Sequence, residues 1–317
     1  MVNVYGGVAG LRFTLPALFT EPTLKPVFRL LDPGPDGTAK VEPAGDKHEV
    51  VWLDAAGTKH HSSQVVGGNF NCCSLGDTLV LQGEAFEKVV DDYQGLEIMG
   101  LQATYADSMA NASLWYEVDG EALAELSNDR LVKVRVNSGI DAGPHSGTQA
   151  DINDYHTECT NLMVSYGAVA ATTRTRRSGK DFGSLAVSRV AQMGDMIDAV
   201  VANRRAMAEW QEIPVERFEV RDLLSDCYMA AVNRKVSEPL SDGKVNRLIE
   251  VYNDEQGAHP GSLFGIYQGV SWMLARKGNG GVLNNPNNRM LKPLNQRDSA
   301  AHARAAACCQ RYADSLK

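Results

Sequence analysis

The segment DINDYHTECTNLMVSYGAVAATTRTRRSGK, residues 151–180, divides the chain into two halves of different character. Before it, short apolar or alternating runs are separated by Gly, Asp and Asn, which is typical of strands and turns. After it, apolar residues mostly recur at helical spacing. The sequence therefore predicts an α+β fold with a β-rich region at residues 1–180 and a helical region at residues 181–317, packed on each other as one domain.

The β-rich half contains five predicted strands, at residues 49–54, 77–82, 96–105, 112–118 and 130–137. Residues 83–93 predict a short helix between two of them, because Phe86, Val89 and Val90 share one side. Residues 32–37 (DPGPDG) predict a turn or loop. The glycine-rich GGVAG at residues 6–10 predicts a flexible segment without a preceding strand.

The helical half begins near Asp181, with Asp181 or Ser178 as the capping residue and Pro214 closing the first long helix. Gly183 and Gly194 weaken this helix by about 1 kcal/mol each relative to Ala, so an interruption is expected. Further helices are predicted at residues 215–236, 241–254, 262–277 and 298–315. The Asn- and Gly-rich segment between the last two predicts an exposed loop.

Composition places the chain among globular proteins, with 44% hydrophobic and 22% charged residues in 317. No apolar run reaches the ~18 residues of a membrane helix, and the N-terminus lacks the basic start of a secretory signal. The six cysteines include two adjacent pairs, which seldom bridge each other, so reduced thiols are expected. These features favour a cytoplasmic protein without membrane partners.

Charge is distributed unevenly along the chain. Residues 1–130 hold 8 Lys/Arg against 19 Asp/Glu, whereas residues 131–317 hold 23 against 20. A polyanion is therefore expected to bind the C-terminal half. The alternative is that acidic and basic faces pair within or between subunits.

Cationic residues in TTRTRRSGK, residues 172–180, form the candidate nucleic-acid site. Arg174 and Arg176 share a strand face, and Arg177 and Lys180 follow where a strand turns into a helix. Guanidinium groups match phosphate oxygens bidentately. Arg276 and Lys277 are added from the C-terminal half, and Phe182, Tyr267 and Tyr312 are among the aromatic candidates for base stacking. The alternative is a solvated strand edge protected by charge.

Metal and thiol chemistry have weak support in the sequence. His156 and Cys159 lie three residues apart, but no CxxC or HxxxH supplies a second ligand pair, and adjacent His60 and His61 point to opposite faces of a strand. Phosphate-loop, nucleophile-elbow, HExxH and dinucleotide motifs do not occur. We therefore predict no catalytic residue, metal or cofactor, and Cys159 as a buried, unreactive thiol. The missing motifs argue against an enzyme but do not decide the matter, because a two-carboxylate or Tyr-based site leaves no local sequence motif.

The order of these parts resembles a phage- and plasmid-like family known as domain of unknown function 932. The similarity covers roughly residues 76–290 and includes an Asn137–Gly143 turn, the triplet Cys159-Thr160-Asn161 and the arginines around Arg176. The His that follows those arginines in the family is missing here, and Arg276 and Lys277 replace the acidic and His residues that end its Trp/Phe-containing helix. The resemblance implies a mobile-element or bacteriophage setting connected with DNA metabolism.

Together, charge and resemblance predict a protein that binds nucleic acid, with single-stranded DNA favoured, as a homo-oligomer in replication, recombination or annealing in the host cytoplasm. The main alternative is a self-associating structural or virion protein whose charges serve subunit interfaces. The third is an enzyme acting on a small molecule or nucleotide.

Overall fold

The computed structural model describes residues 1–31, 40–123, 130–141, 147–156, 172–177, 181–233, 239–254, 259–277 and 296–317. Within these ranges, strands are concentrated in the N-terminal half and helices in the C-terminal half. The predicted α+β class is confirmed.

The larger sheet has six antiparallel strands in the order β1-β6-β7-β8-β9-β10. They are β1 (Val2–Asn3), β6 (Glu97–Tyr105), β7 (Asn111–Asp119), β8 (Arg130–Gly139), β9 (Gly147–His156) and β10 (Thr172–Thr175). Three predicted strands, at residues 96–105, 112–118 and 130–137, are thus confirmed. Along β7 and β8 the apolar residues alternate with polar ones, so one face of the sheet is apolar.

The smaller sheet contains β2 (Thr23–Leu31), β3 (Lys40–Leu53), β4 (Lys59–His61) and β5 (Val66–Gly67). The predicted strand at residues 49–54 is the end of the much longer β3. β3 pairs with all three other strands of this sheet, and β2 lies at its edge within the described chain. The predicted turn at residues 32–37 lies outside the described residues.

The prediction of a strand at residues 77–82 is wrong. A short helix, α1 (Leu11–Thr14), precedes one 17-residue helix, α2 (Leu75–Asp91), which absorbs both that run and the helix predicted after it. Ser74 caps α2: its Oγ accepts the Asp77 N–H at 3.0 Å and donates to Asp77 Oδ2 at 2.6 Å. This serine cap outweighs the β propensity of a short apolar run, because the helix also buries Leu79 and Phe86 against the sheet.

The N-terminal glycine segment is ordered and follows a strand, contrary to expectation. β1 precedes it, and Val8 begins a 3₁₀ turn and is 1% exposed in the core. Gly83 of α2 allows this close packing, because a Cβ there would lie 2.5 Å from both Val8 and the Tyr116 hydroxyl. Substitution of Gly83 would therefore push α2 away from the sheet.

The helical half follows the predicted order. α3 (Phe182–Ala191) and α4 (Met193–Glu212) are one run interrupted at Gln192, and α4 ends just before Pro214. The four helices that follow are α5 (Val220–Ala231), α6 (Asp242–Asp254), α7 (Leu263–Lys277) and α8 (Gln296–Ser315). Each lies within two residues or, for α5, five residues of the predicted bounds, which confirms them.

Two hydrophobic clusters stabilise the described chain. The first joins the apolar face of the large sheet to α2, the end of α3 and the start of α4. The second lies among the rest of α4 and α5, α6, α7 and α8. Arg304 of α8 supports the second cluster, since its Nη2 donates to the Ala231 carbonyl at the end of α5 at 2.6 Å. None of the helices in the described ranges has the length and apolar character needed to cross a bilayer.

Candidate functional site

Arg177 lies inside the protein and is not a surface residue as predicted. Its side chain is 2% exposed, and the described acceptors around it are neutral carbonyls, hydroxyls and a thiol. Its five N–H groups donate to Gly139 O at 2.8 Å, Cys73 O at 2.6 Å, Asn71 O at 3.4 Å, Ser138 Oγ at 2.8 Å and Thr78 Oγ1 at 3.1 Å. No N–H remains for a phosphate, so Arg177 has a structural role.

The Arg177 anchor, meaning this guanidinium and its acceptors, connects three parts of the fold. Ser138 and Gly139 belong to the end of β8, Thr78 belongs to α2, and Cys73 precedes the α2 cap. The Phe182 ring at the start of α3 lies 5.1 Å from the guanidinium carbon. Burial lowers the pKa of Arg177, because the charged form has lost its hydration. The anchor therefore fixes where β10 ends and α3 begins.

The other predicted site residues are only partly located by the structure. Arg174 lies in β10 opposite Gln149, and Arg176 is exposed directly after that strand. Arg276 and Lys277 are the last two residues of α7, and their side chains lie outside the described part of the chain. Lys180 lies outside the described residues. Two predicted stacking residues, Phe182 and Tyr267, are 1% and 0% exposed and belong to the interior.

The residues considered for metal and thiol chemistry do not form a site where the structure describes them. His60 Nε2 contacts Asp54 Oδ2 at 2.9 Å, whereas His61 Nδ1 contacts Glu49 Oε2 at 2.9 Å. In the described chain no three His, Cys, Asp or Glu side chains are grouped so as to hold a metal ion. Cys159 and the side chain of His156 lie outside the described residues.

The polar sheet face is the surface of the large sheet opposite its helix-covered side. On β7, Leu114 and Tyr116 belong to the core, and the intervening residues point the other way. The polar sheet face consists of Gln102, Thr104, Ser113, Trp115, Glu117, Lys133, Arg135, Asn137 and Gln149. Eight of these nine side chains are polar or charged, so this face is built for hydrogen bonding.

Trp115 and Arg135 form the centre of the polar sheet face. The Arg135 guanidinium carbon lies 5.5 Å from the centre of the Trp115 ring, and the two residues pair directly across β7 and β8. Trp115 Nε1 donates to Thr104 Oγ1 at 3.1 Å. Both central side chains are buried, at 4% and 2% exposure, and they give the face a rigid aromatic and cationic base.

The partly exposed residues surround this centre and extend toward β10. Asn137 Nδ2 donates to Ser113 Oγ at 2.9 Å, and Lys133 Nζ lies 3.6 Å from Glu117 Oε2. Asn137 is opposite Gln149, and Gln149 is opposite Arg174. A row of amide-bearing residues therefore leads across the sheet to Arg174 of β10 and to Arg176 directly after that strand.

The sequence contains a local signal for this face. The run RLVKVRVN at residues 130–137 alternates strictly between valines and Lys133, Arg135 and Asn137. Such alternation gives the strand one polar face, but a polar face is ordinarily solvated, so it does not by itself indicate a site. The stacking of Arg135 on Trp115 depends on the register between β7 and β8.

Comparison with protein-family models, curated proteins and solved structures finds no match for this chain.

Proposed function

We propose that the protein binds single-stranded nucleic acid along β10 and the adjoining margin of the polar sheet face. The observation that supports this most directly is the register that carries Asn137 and Gln149 up to Arg174, with exposed Arg176 directly beyond. In this arrangement the two arginines contact phosphates, and the amides hydrogen-bond to bases. The binding belongs to replication, recombination or annealing of DNA, in which strands are transiently single.

Single strands fit this surface better than a duplex. The margin of the face presents amide, hydroxyl and carboxylate groups together with Lys133, which is already paired with Glu117. Such mixed groups match the edges of unpaired bases, whereas a duplex would present mainly phosphates to this margin. With a net charge of −8, the chain offers little general attraction to a polyanion, so binding relies on local cations.

Replacing Arg174 and Arg176 together with Ala is expected to weaken the binding of single-stranded DNA and its salt dependence. Each lost phosphate contact lowers the slope of log K against log salt by about 0.7 for a single strand, so the double variant loses about 1.4. The measurement is fluorescence anisotropy of a labelled oligonucleotide over a salt series. Arg177 is excluded from the variant, because its removal would test folding instead.

The matched control replaces Arg221 and Arg247 with Ala. Both are exposed arginines of α5 and α6 that pair with Asp242 and Glu250 at 2.9 Å and 2.8 Å, so their loss removes the same charge from helices of the second hydrophobic cluster. The control should keep the wild-type slope. Equal losses in both variants, or no loss in Arg174→Ala/Arg176→Ala, would disprove the location.

A second candidate function is self-assembly of a structural protein. It is favoured by a segment that we call the arm, which consists of residues 28–31 of β2 and residues 40–43 of β3. The arm is two-stranded and pairs Phe28 with Pro43 and Leu30 with Val41. Phe28, Leu30 and Val41 share one face and are 56%, 74% and 63% exposed. The opposite face carries an ion pair of Arg29 and Glu42. An amphipathic ribbon with an open apolar face is a typical subunit contact.

A second copy of the chain is the occupant that fits the arm. In the described chain β2 has a paired neighbour on one side only, so its other edge presents free backbone groups. Antiparallel pairing of two β2 strands about a two-fold axis would satisfy those groups and join two identical apolar faces. An oligomer formed this way is compatible with nucleic-acid binding, because β10 lies in the other sheet.

Replacing Phe28, Leu30 and Val41 with Thr is expected to convert an oligomer into a 34.4 kDa monomer. Thr keeps strand propensity and removes most of the apolar area that drives association. Sedimentation velocity measures the change, and Arg29→Thr/Glu42→Thr on the opposite face of the arm is the control that should remain assembled. A wild-type chain that sediments as a monomer at micromolar concentration would refute assembly through the arm.

A further inference from the structure

Three cysteine side chains meet where α5 packs against α8. Cys227 of α5 and Cys309 of α8 are fully buried, and their Sγ atoms lie 3.9 Å apart. Cys227 also shares a hydrogen bond with Cys308, the neighbouring residue of α8, which is half-buried. All three are free thiols. The cluster therefore combines two thiols of the interior with one that solvent reaches.

A second interaction holds the two helices in register at this contact. Arg304 lies one turn before Cys308 on α8, and its Nη2 donates to the Ala231 carbonyl at 2.6 Å. Ala231 lies one turn after Cys227 on α5. The helices are therefore antiparallel here, and Cys227 stays beside the two cysteines of α8. In the described chain these thiols are not grouped so as to hold a metal ion, so the chemistry open to them is that of a dithiol.

Cys308 is the thiol that a reagent reaches first. The exposed Arg311 lies one turn beyond it on α8 and attracts an anionic reagent. The hydrogen bond to Cys227 and then burial raise the pKa of Cys308. Two charged groups modify this pKa in opposite directions, since Arg311 lowers it and Asp226 raises it. Cys308 is therefore a protonated thiol at neutral pH, and it reacts faster as the pH rises.

We infer that Cys227 and Cys308 form a redox-active dithiol, which oxidised glutathione converts into a disulfide bond between α5 and α8. The Cys308 thiolate attacks one sulfur of oxidised glutathione, forms a mixed disulfide and releases one glutathione thiolate. The Cys227 thiolate then attacks Cys308 Sγ and releases the second glutathione. Two electrons pass from the protein to the reagent, and the two thiol protons end on the two glutathione molecules. The protein is oxidised, and one glutathione disulfide is reduced to two thiols.

The disulfide bond joins two helices of the second hydrophobic cluster. It opposes their separation, because it closes a long loop of the chain and so restricts the unfolded state. A compartment that keeps thiols reduced holds the pair open, whereas an oxidising one closes it. The dithiol is separate from β10 and the polar sheet face, so it goes beyond the proposed binding of nucleic acid.

Incubation of the full-length chain with oxidised glutathione tests the dithiol. The thiols that remain are blocked with N-ethylmaleimide in denaturant and counted by intact mass spectrometry. Two of the six thiols should form a bridge, and peptide mapping should find Cys227 joined to Cys308. The rate should increase about tenfold per pH unit, because the attacking group is a thiolate. An oxidised chain in which these two cysteines remain unbridged would overturn the inference.

Cys227→Ser is expected to stop the exchange at its first step, because no second thiol then displaces glutathione from Cys308. This variant should accumulate a glutathione adduct on Cys308, which the wild type loses as the bridge forms. Cys72→Ser removes a half-buried thiol elsewhere and is the matched control, which should form the bridge as the wild type does. If Cys227→Ser fails to fold, Cys308→Ser gives the decision, since this half-buried position should lose both the bridge and the adduct. A bridge at Cys227 that still forms in Cys308→Ser would disprove the assignment.

Discussion

Arg177→Met is expected to lower the free energy of unfolding by about 3–5 kcal/mol, because it leaves buried acceptors without donors at the junction of two strands and two helices. The loss is a large fraction of the 5–15 kcal/mol that ordinarily stabilises a domain. Urea unfolding followed by circular dichroism measures it. Methionine keeps much of the side-chain volume, so the effect reports the lost hydrogen bonds more than a cavity.

Arg176→Met is the matched control for this prediction. Arg176 is the preceding residue, but it is exposed and makes no ion pair in the described chain, so its replacement should change stability by less than about 0.5 kcal/mol. Arg177→Lys should fall between the two, since one ammonium group has three donors and a shorter reach than the guanidinium. Equal stability of Arg177→Met and Arg176→Met would show that the Arg177 anchor does not stabilise the fold.

The fold could be predicted where apolar residues kept one regular spacing along a whole helix or strand. The strict alternation of β8 and the three-to-five spacing from Phe182 onward each allowed one secondary structure only. Helix ends were also recognisable, since Asp181 directly precedes α3 and Pro214 follows α4, but the predicted capping by Asp181 is wrong because its side chain makes no capping hydrogen bond.

The N-terminal end of α2 shows where local sequence signals conflict. The run DTLVLQ has the β propensity of a strand, but Ser74, three residues before its start, caps a helix by accepting the Asp77 N–H. The helix is stabilised by long-range packing of Leu79 and Phe86 on the sheet, which short-range propensity does not contain. The serine cap is therefore the more informative local signal at this position.

The candidate site depended on contacts between distant residues. The sequence presents Arg174, Arg176 and Arg177 as equivalent, yet Arg177 is buried by acceptors from residues 71, 73, 78, 138 and 139. No local pattern shows which of three neighbouring arginines turns inward. In the same way, the pairing of Trp115 with Arg135 follows from strand register, so the polar sheet face emerges only from the assembled sheet.

His302 makes the stability of the helical half depend on pH. This residue of α8 is 1% exposed, and its Nδ1 lies 3.2 Å from Ser271 Oγ of α7. Burial lowers the pKa of His302 to about 4 from the ordinary value of 6.5, because the protein interior disfavours the imidazolium. The folded chain therefore keeps His302 neutral at pH values where the unfolded chain protonates it.

The direction of the effect follows from proton binding. Above pH 6.5 His302 is neutral in both states, and its contribution to stability is fully present. As pH falls from 6.5 to about 4, only the unfolded chain binds the proton, so stability decreases by about 3 kcal/mol.

Asp54, whose pKa is lowered to about 2 chiefly by its hydrogen bond from His60, adds a loss only below pH 3.8. Glu87 acts in the opposite direction, because its raised pKa favours the folded chain as pH falls.

His302→Gln is expected to remove most of the pH dependence between 6.5 and 4, since glutamine does not titrate and its amide still hydrogen-bonds to Ser271. The measurement is urea unfolding of the variant and the wild type at several pH values across this interval. The substitution also changes stability at pH 7, where His302 does not titrate. Only the way in which the stability difference between variant and wild type changes with pH is therefore informative. As the pH falls to 4, the difference in stability between variant and wild type should change by about 3 kcal/mol in favour of the variant. Parallel curves would show that His302 is already protonated in the fold, with a partner that compensates its charge.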